Sequence, residues 1–281
     1  MSSPRPVLEL DKAEVLDGLF ASWDDIEQLM ANVPEADWQR PSALPGWSVH
    51  DVLAHIIGTE SMLAGTPTPE SGVEVSGLDH VRNPIGELNE HWILALRNES
   101  AEAMLTRYRE VLAQRRAALR ELSEDVWNGV TATPAGPDSY GRFMRIRTFD
   151  CWMHEQDIRQ AVGRPSSDAE LAGPAARLAL DEIAASMGFV VGKLGKAPDG
   201  SRVAIELTGP MARVIRVAVE GRAAVVDEFN AEPTTVIRLD GLQFTRLCGG
   251  RPLCEARSDA IEFDGDAQVG QRVVDNLNYV I

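Results

Sequence analysis

Residues 145–165 read RIRTFDCWMHEQDIRQAVGRP and predict a long helix with a polar inward face. Gly163 and Pro165 provide its stop signal. Helical spacing places charged side chains between apolar or small ends of one stripe, which runs through Phe143, Arg147, Asp150, His154, Asp157 and Ala161. An uncompensated buried carboxylate costs several kcal/mol. These groups therefore need partners inside the protein, and a metal ion would provide one.

A second helix is predicted from LPGWSVHDVLAHIIGTE, residues 44–60. Pro45 and Gly46 interrupt the chain, Ser48 is a good N-cap, and Asp51 completes a capping box. Helical spacing gives this helix a stripe of Ser48, Asp51, Val52, His55, Thr59 and Met62. His50 lies off the stripe and is predicted to be solvated.

If the two helices pack side by side, they bring together His55, Asp150 and His154. Two imidazoles and one carboxylate suit a divalent metal such as zinc, with one coordination position open. Asp157 or Arg147 could then fix the imidazole tautomer. Two structural alternatives stay open at this point: His55 as an ordinary core histidine, and a metal-free Arg–Asp–His–Asp network.

The two stretches resemble the mycothiol-dependent maleylpyruvate isomerase family, within the DinB-like (YfiT-like) metal-dependent superfamily. The resemblance rests on a W-[ST]-V-x-D-[VL]-L-A-H pattern and on a carboxylate four residues before H-x-x-D. The matching residues are Trp47, Ser48, Val49, Asp51, Val52, Leu53, Ala54, His55, Asp150, His154, Asp157 and Gly163. It implies that His55, Asp150 and His154 are metal ligands. The first-described members carry glutamate where this chain has Asp150, so a metal must lie closer to that helix or be bound through water.

The predicted fold class is a two-domain α+β protein. Residues 1–166 are expected to form a DinB-like four-helix bundle, and residues 167–281 an α+β domain that resembles a sterol-carrier-protein fold. The bundle helices are predicted at 9–32, 48–65, 87–123 with a break near Asn98, and 142–163. A loop over 65–86 is long enough to cover the site.

The second domain is predicted to begin with a helix over 168–195. Four runs rich in Val, Ile and Thr then predict strands: RVAIELTG, ARVIRVAVEG, AAVVDEF and TTVIRLDG. A short helix over 241–250, a strand in AIEFDGD and a closing helix in AQVGQRVVDNLNYV complete the domain. Nine arginines and no lysine follow residue 200. Arginine binds carboxylates through two hydrogen bonds, and Arg246 and Arg251 are the candidates for binding an acidic substrate.

Charge and cysteine content narrow the class of partner and the compartment. A net charge of −16 argues against nucleic acid and anionic membranes. No run approaches the ~18 apolar residues of a membrane span, and the first residues have no apolar signal core. Cys151, Cys248 and Cys254 form no C-x-x-C, which fits a reducing cytoplasm. Cys151 is expected to be a packing residue. Only three of the 27 basic residues are lysines, a bias typical of GC-rich actinobacterial genomes.

The resemblance implies a metal-dependent enzyme in which a low-molecular-weight thiol, mycothiol, attacks a small electrophile. The reaction would be an isomerisation or an S-transfer. Its partners would be the electrophile and the thiol, and the protein a monomer or homodimer. Two other functions stay open: a carrier protein with a vestigial metal site, and a metal-dependent hydrolase on the same helices.

Overall fold

In the computed structural model, which describes residues 7–251 and 261–280, the chain divides into two units, Met1–Ser166 and Ser167–Ile281. No helix in the described ranges is long and apolar enough to cross a membrane. The chain therefore consists of two separately packed bodies, of which the first is largely helical and the second combines helices with a sheet.

Over residues 7–166 the first unit contains six α-helices: α1 (Lys12–Ala31), α2 (Val49–Leu63), α3 (Pro84–Leu96), α4 (Ala101–Glu121), α5 (Glu124–Trp127) and α6 (Tyr140–Val162). The long helix α6 packs on α1 and α2, and α4 also packs on both of these helices. Buried side chains between them form the core, among them Leu19, Trp23, Ile26, Leu53, Ile56, Met104, Tyr108, Met144 and Trp152. Two short strands, β1 (Val130–Thr131) and β2 (Asp138–Ser139), pair just before α6.

Helix starts in this unit follow the sequence signals. The side chain of Ser48 accepts from the Asp51 N–H, and the Asp51 carboxylate accepts from the Ser48 N–H, which confirms the capping box. The predicted third helical stretch is interrupted after Leu96 and begins again behind Ser100, whose side chain caps α4. The break near Asn98 is therefore confirmed.

The prediction that His50 is solvated is wrong. Its exposed fraction is 2%, its Nε2 lies 3.1 Å from the carbonyl oxygen of Glu99, and its ring meets the edge of Trp38. The segments that precede α2 and that join α3 to α4 cover this second face of α2. A periodicity argument assumes one buried stripe, and α2 is buried on more than one side.

The second unit begins with α7 (Asp168–Leu171) and α8 (Pro174–Phe189). One helix was predicted over this stretch, but it is interrupted near Gly173 and ends in a π-helical turn, Val190–Leu194. Five strands follow in the sheet: β3 (Arg202–Thr208), β4 (Arg213–Glu220), β5 (Arg222–Val226), β6 (Thr235–Asp240) and β7 (Glu262–Gly265). In the described part of this unit, residues 167–251 and 261–280, two more helices follow, α9 (Gly241–Cys248) and α10 (Ala267–Asp275).

The sheet order is β5-β4-β3-β6-β7, in which β3 and β6 are parallel and all other neighbours are antiparallel. Ile205 on β3 pairs with Ile215 on β4 and with Ile237 on β6, and all three side chains are buried. Helix α8 packs on β4 and β5, α9 on β3 and β6, and α10 on β6 and β7. All of the predicted strand runs contain strands, and Cys254 lies outside the described residues.

Candidate metal centre

Helices α2 and α6 bring His55, Asp150 and His154 together in the first unit. Each residue offers one ligand atom, and these atoms all lie within 4.8 Å of one another. The imidazole side chains are 6% and 9% exposed, whereas the Asp150 side chain is 31% exposed. The cluster is therefore buried on its histidine side and accessible on its carboxylate side.

Two of the distances within this cluster are close to those between the ligands of a tetrahedral ion. Nε2 of His55 lies 3.2 Å from Oδ2 of Asp150, and Nε2 of His154 lies 3.5 Å from Oδ1. Two donor atoms that each bind a tetrahedral zinc lie about 3.3 Å apart. The two histidines thus approach different oxygens of one carboxylate at separations that zinc ligands adopt.

The surroundings of the two histidines differ. Nδ1 of His154 lies 3.2 Å from Oδ2 of Asp157, whose side chain is fully buried. A carboxylate behind a histidine is the usual arrangement at metal sites, because it keeps the proton on Nδ1 and directs Nε2 towards the ion. Across residues 7–251 and 261–280, no hydrogen-bond partner reaches Nδ1 of His55. Of the two imidazoles, only His154 has a carboxylate that fixes its tautomer.

Arg147 binds the carboxylate of the cluster directly. Its Nη1 donates to Oδ2 of Asp150 at 2.6 Å, while its Nε and Nη2 lie 3.0 and 2.9 Å from Oε1 of Glu60. The other Glu60 oxygen accepts from Nε of Arg115 at 2.9 Å. Glu60, Arg115 and Arg147 are all buried. The cluster is therefore one end of a buried chain of charges, Arg115–Glu60–Arg147–Asp150.

Sequence reasoning missed Glu60 and Arg115. Glu60 is a lone carboxylate near the end of the apolar helix α2, and its two arginine partners lie 55 and 87 residues further along the chain. A charge in an otherwise apolar helix is the signal that could have marked it. Its partners could not be identified without knowing how α2, α4 and α6 pack.

The pKa values of the three candidate ligands are shifted in different directions, lowered for Asp150 and His55 and raised for His154. Burial alone would raise the pKa of Asp150, but Arg147 and the two histidines outweigh it and hold that pKa well below 3.8. Burial lowers the pKa of His55 below 6.5, because the attraction of Asp150 is the smaller effect. Burial also acts on His154, but Asp150 and Asp157 outweigh it and raise its pKa.

Cys151 is fully buried beside this chain of charges, with its Sγ 3.5 Å from Nη2 of Arg147. Burial raises the pKa of its thiol to about 12, despite the opposing effect of Arg147. A thiol with such a pKa stays protonated at neutral pH and is a poor nucleophile. Cys151 is a packing residue, as predicted.

Trp47, one of the residues that match the family pattern, lies beside the cluster. Its ring centroid lies 5.4 Å from that of His55 and 6.2 Å from that of His154. Its Nε1 donates to Oε1 of Glu90 at 2.6 Å, and His80 approaches the same oxygen at 2.8 Å. His80 belongs to the loop that was predicted to cover the site. The loop is thus joined, through Glu90, to the indole beside the two imidazoles.

The arginines proposed to bind substrate lie in the second unit. Arg246 is on α9 and is 3% exposed, and Arg251 is half-buried with its Nη1 donating to the carbonyl oxygen of Gly249 at 2.5 Å. Their role towards a substrate stays a prediction.

Two family models match most of the chain. The mycothiol maleylpyruvate isomerase N-terminal domain matches residues 19–159, which include the whole cluster. The chain belongs to the mycothiol maleylpyruvate isomerase family. The C-terminal domain of the same family matches residues 177–272, which include Arg246 and Arg251.

Individual proteins are also similar to this chain in sequence or in fold. Two proteins of Mycobacterium tuberculosis, from strains CDC 1551 and H37Rv and both described as uncharacterized, are 27% identical over 152 residues. The match covers 53% of this chain and 57% of each relative, so the chain spans little more than half of their length. The crystal structure of the mycothiol-dependent maleylpyruvate isomerase is similar in fold, with a TM-score of 0.58 and 19% identity over 91% of this chain and 93% of that one.

Proposed function

We propose that this member of the family is a divalent-metal enzyme in which mycothiol attacks a small electrophilic substrate. The observation that carries the proposal is the His55–Asp150–His154 cluster, with ligand atoms within 4.8 Å and Asp157 behind His154. The family membership and the fold of the similar crystal structure support the thiol as co-substrate. We propose zinc as the ion, because two imidazoles, one carboxylate and an open position form a catalytic zinc set.

Each residue around the cluster has a distinct part in this proposal. When bound, a zinc-like ion would supply Lewis acidity, which lowers the pKa of a thiol so that thiolate exists at neutral pH. Asp157 keeps the proton of His154 on Nδ1, so that the Nε2 lone pair faces the cluster. Trp47 provides an apolar wall beside both imidazoles, which limits access of water to the reacting thiolate.

The reaction that we propose is nucleophilic addition of the thiolate to an electrophilic carbon, such as that of an α,β-unsaturated acid. The double-bond electrons move towards the acid carbonyl as the carbon–sulfur bond forms. In an isomerase, the former double bond rotates, the carbon–sulfur bond breaks, and thiolate and isomerised acid leave. In an S-transferase, the adduct takes up a proton and is released. The solved relative is by its description an isomerase, which favours the first route.

Further parts of the proposal concern the two units. We propose that residues 1–166 are a DinB-like four-helix-bundle domain and residues 167–281 a sterol-carrier-like domain. Arg246 and Arg251 would bind the anionic group of the substrate, since guanidinium groups pair with carboxylates. The protein would act in the cytoplasm as a monomer or homodimer, and without nucleic acid or membrane partners.

Metal content and thiol-dependent turnover test the proposal. The purified protein should hold about one zinc-like ion per chain, and His154→Ala should lose it. His91→Ala is the matched control, because His91 lies on α3 and contacts Ser71 rather than the cluster. Turnover of maleate should require both the ion and a thiol, with mycothiol or 2-mercaptoethanol as probe.

Three outcomes would overturn the proposal. A full metal content in a His55→Ala, Asp150→Ala, His154→Ala triple variant would place the ion elsewhere. Hydrolysis of model esters with metal and no thiol would favour the hydrolase. Absence of any turnover, together with tight binding of an apolar ligand to the second unit, would favour the carrier.

A further inference from the structure

We propose that Arg147 is a positioning residue which keeps the metal centre strongly positive and thereby selects an anionic ligand, such as a thiolate or a carboxylate. This inference rests on the proposed metal site. It assigns to Arg147, and to Glu60 behind it, a part in choosing the ligand rather than in holding the fold alone.

The first step is the contact with Asp150. Nη1 of Arg147 donates to Oδ2 at 2.6 Å, which is the shortest of the polar distances between Asp150 and its neighbours described above. The other oxygen, Oδ1, is the one that lies nearer to Nε2 of His154, at 3.5 Å. Arg147 therefore binds Oδ2, the oxygen that His55 also approaches at 3.2 Å, and leaves Oδ1 facing His154.

The second step is that Arg147 is held in this position. Two of its nitrogens contact Oε1 of Glu60 at 3.0 and 2.9 Å, and the side chain is only 5% exposed. Arg115 holds the other Glu60 oxygen at 2.9 Å. If Arg147 moved away, the fully buried Glu60 would lose a partner, which is strongly unfavourable. The guanidinium is thus a fixed feature of the site.

The third step concerns charge. A carboxylate ligand usually cancels part of the charge of its metal ion. Here the charge of Asp150 is already balanced by Arg147, so the pair adds no net charge to the centre. The two imidazoles bind a metal in their neutral form. The ion would therefore keep more of its own charge than in a centre whose carboxylate had no arginine, and an incoming anion would be attracted more strongly than a neutral molecule.

This reasoning predicts opposite effects on two affinities when the charge is removed. Arg147→Gln retains an amide N–H that can donate to Glu60 but carries no charge. Loss of a positive charge this close to the ion should strengthen zinc binding by about tenfold, and weaken binding of an anion to the metal-loaded protein by about tenfold. A merely structural role would weaken both affinities or leave the second unchanged.

The experiment measures both affinities apart from turnover. Zinc affinity is determined by competition with a chromophoric chelator, and anion affinity by titrating the cobalt-substituted protein with azide while its visible spectrum is recorded. Arg147→Lys keeps a positive charge beside Asp150 and, because the effect depends on charge, should leave the azide affinity within about threefold of the original. Arg238→Met, at an exposed arginine of the second unit, is the matched control and should change neither affinity.

The outcomes separate this inference from the proposed function. If the unmodified protein binds no metal, the proposed function fails and the inference with it. If it binds zinc and Arg147→Gln leaves the azide affinity unchanged, only the inference is overturned. If Arg147→Gln does not fold, Arg147→Lys decides: azide affinity within about threefold supports the role of charge, and a tenfold loss contradicts it.

Discussion

Each unit of the molecule contains an arginine between two carboxylates, and the two arrangements have nearly the same distances. Arg147 lies 2.6 Å from Asp150 and 2.9 Å from Glu60, and Arg238 lies 2.7 Å from Glu206 and 3.0 Å from Glu262. Their surroundings are opposite, since the Arg147 side chain is 5% exposed and that of Arg238 is 42% exposed. The contact distances alone do not distinguish the two arrangements.

Burial decides what each arrangement can do. On the sheet, Glu206 and Glu262 are cross-strand neighbours of Arg238, and water screens both contacts. Between the helices, Glu60, Arg115 and Arg147 are buried, so each of these groups depends on its neighbour for a partner. An exposed arrangement can be removed at little cost, whereas the buried one fixes the position of Asp150. The following predictions test this difference, in descending order of expected effect.

The largest effect is expected from Glu60→Ala. The change leaves Arg115 and Arg147 buried with their shared carboxylate gone, and removal of one partner from a buried ion pair costs about 3–5 kcal/mol. Urea denaturation of the metal-free protein should show this loss in the free energy of unfolding. Glu206→Ala on the sheet is the control and should leave the unfolding midpoint almost unchanged. Equal effects of the two changes would refute the comparison.

Asp157→Asn, which changes the carboxylate behind His154, should have the next largest effect. The amide oxygen of asparagine can accept a hydrogen bond from His154 Nδ1, but it lacks the negative charge of the carboxylate. Loss of such a charged partner typically weakens metal binding about 10–100-fold. Chelator competition measures the change. Asp157→Asn with zinc affinity equal to that of the original protein would show that Asp157 has no part in holding the ligand.

The pH dependence of stability should reveal the Arg147–Asp150 contact in the metal-free protein. The folded-state pKa of Asp150 lies well below the ordinary value of 3.8, because Arg147 and the histidines outweigh burial. A depressed carboxyl pKa gives stability that is present above the unfolded value and is lost as the pH falls through the folded one. The stability difference between the original protein and Asp150→Asn should therefore be present above pH 3.8 and shrink as the pH falls below that value.

Urea denaturation at a series of pH values, with chelator present, measures that difference. A gap that stays constant from pH 7 to strongly acid solution would mean that Asp150 ionisation contributes nothing to folding.

The smallest effect is expected from Arg238→Met. Exposed ion pairs contribute little and are screened by salt. The unfolding midpoint should shift only slightly at low ionic strength, and the shift should vanish in 0.5–1 M salt, roughly where the screening length falls to a few ångströms. A large shift that persists in salt would place this arginine in the same class as Arg147.

The candidate ligands could be predicted from sequence because their signals are local. Asp150 and His154 are one helical turn apart, and the capping box at Ser48 fixes where α2 begins and hence which way His55 faces. The position of His50 was predicted wrongly by the same reasoning, because neighbouring segments cover a second face of α2. Periodicity identifies the face of a helix but not how many faces the rest of the chain covers.

The charged residues that contact the candidate ligands, and the partners of those residues, could not be predicted in the same way. Glu60 contacts arginines from two other helices, and Glu90 joins Trp47 to His80 of the loop. These partners are decided by how the helices pack. On the sheet, β-strand composition predicted the strands, but the parallel pairing of β3 with β6 depends on the path that the chain takes between them.

The separation of the candidate ligands along the chain has a kinetic consequence. Asp150 and His154 are presented as soon as α6 forms, but His55 comes from 95 residues before Asp150. A complete three-ligand site exists only after α2 has docked on α6. An ion held by all three groups would therefore act mainly on the rate of unfolding, because that step must break the full site. The lifetime of the native state, more than the speed of its formation, would follow the supply of metal.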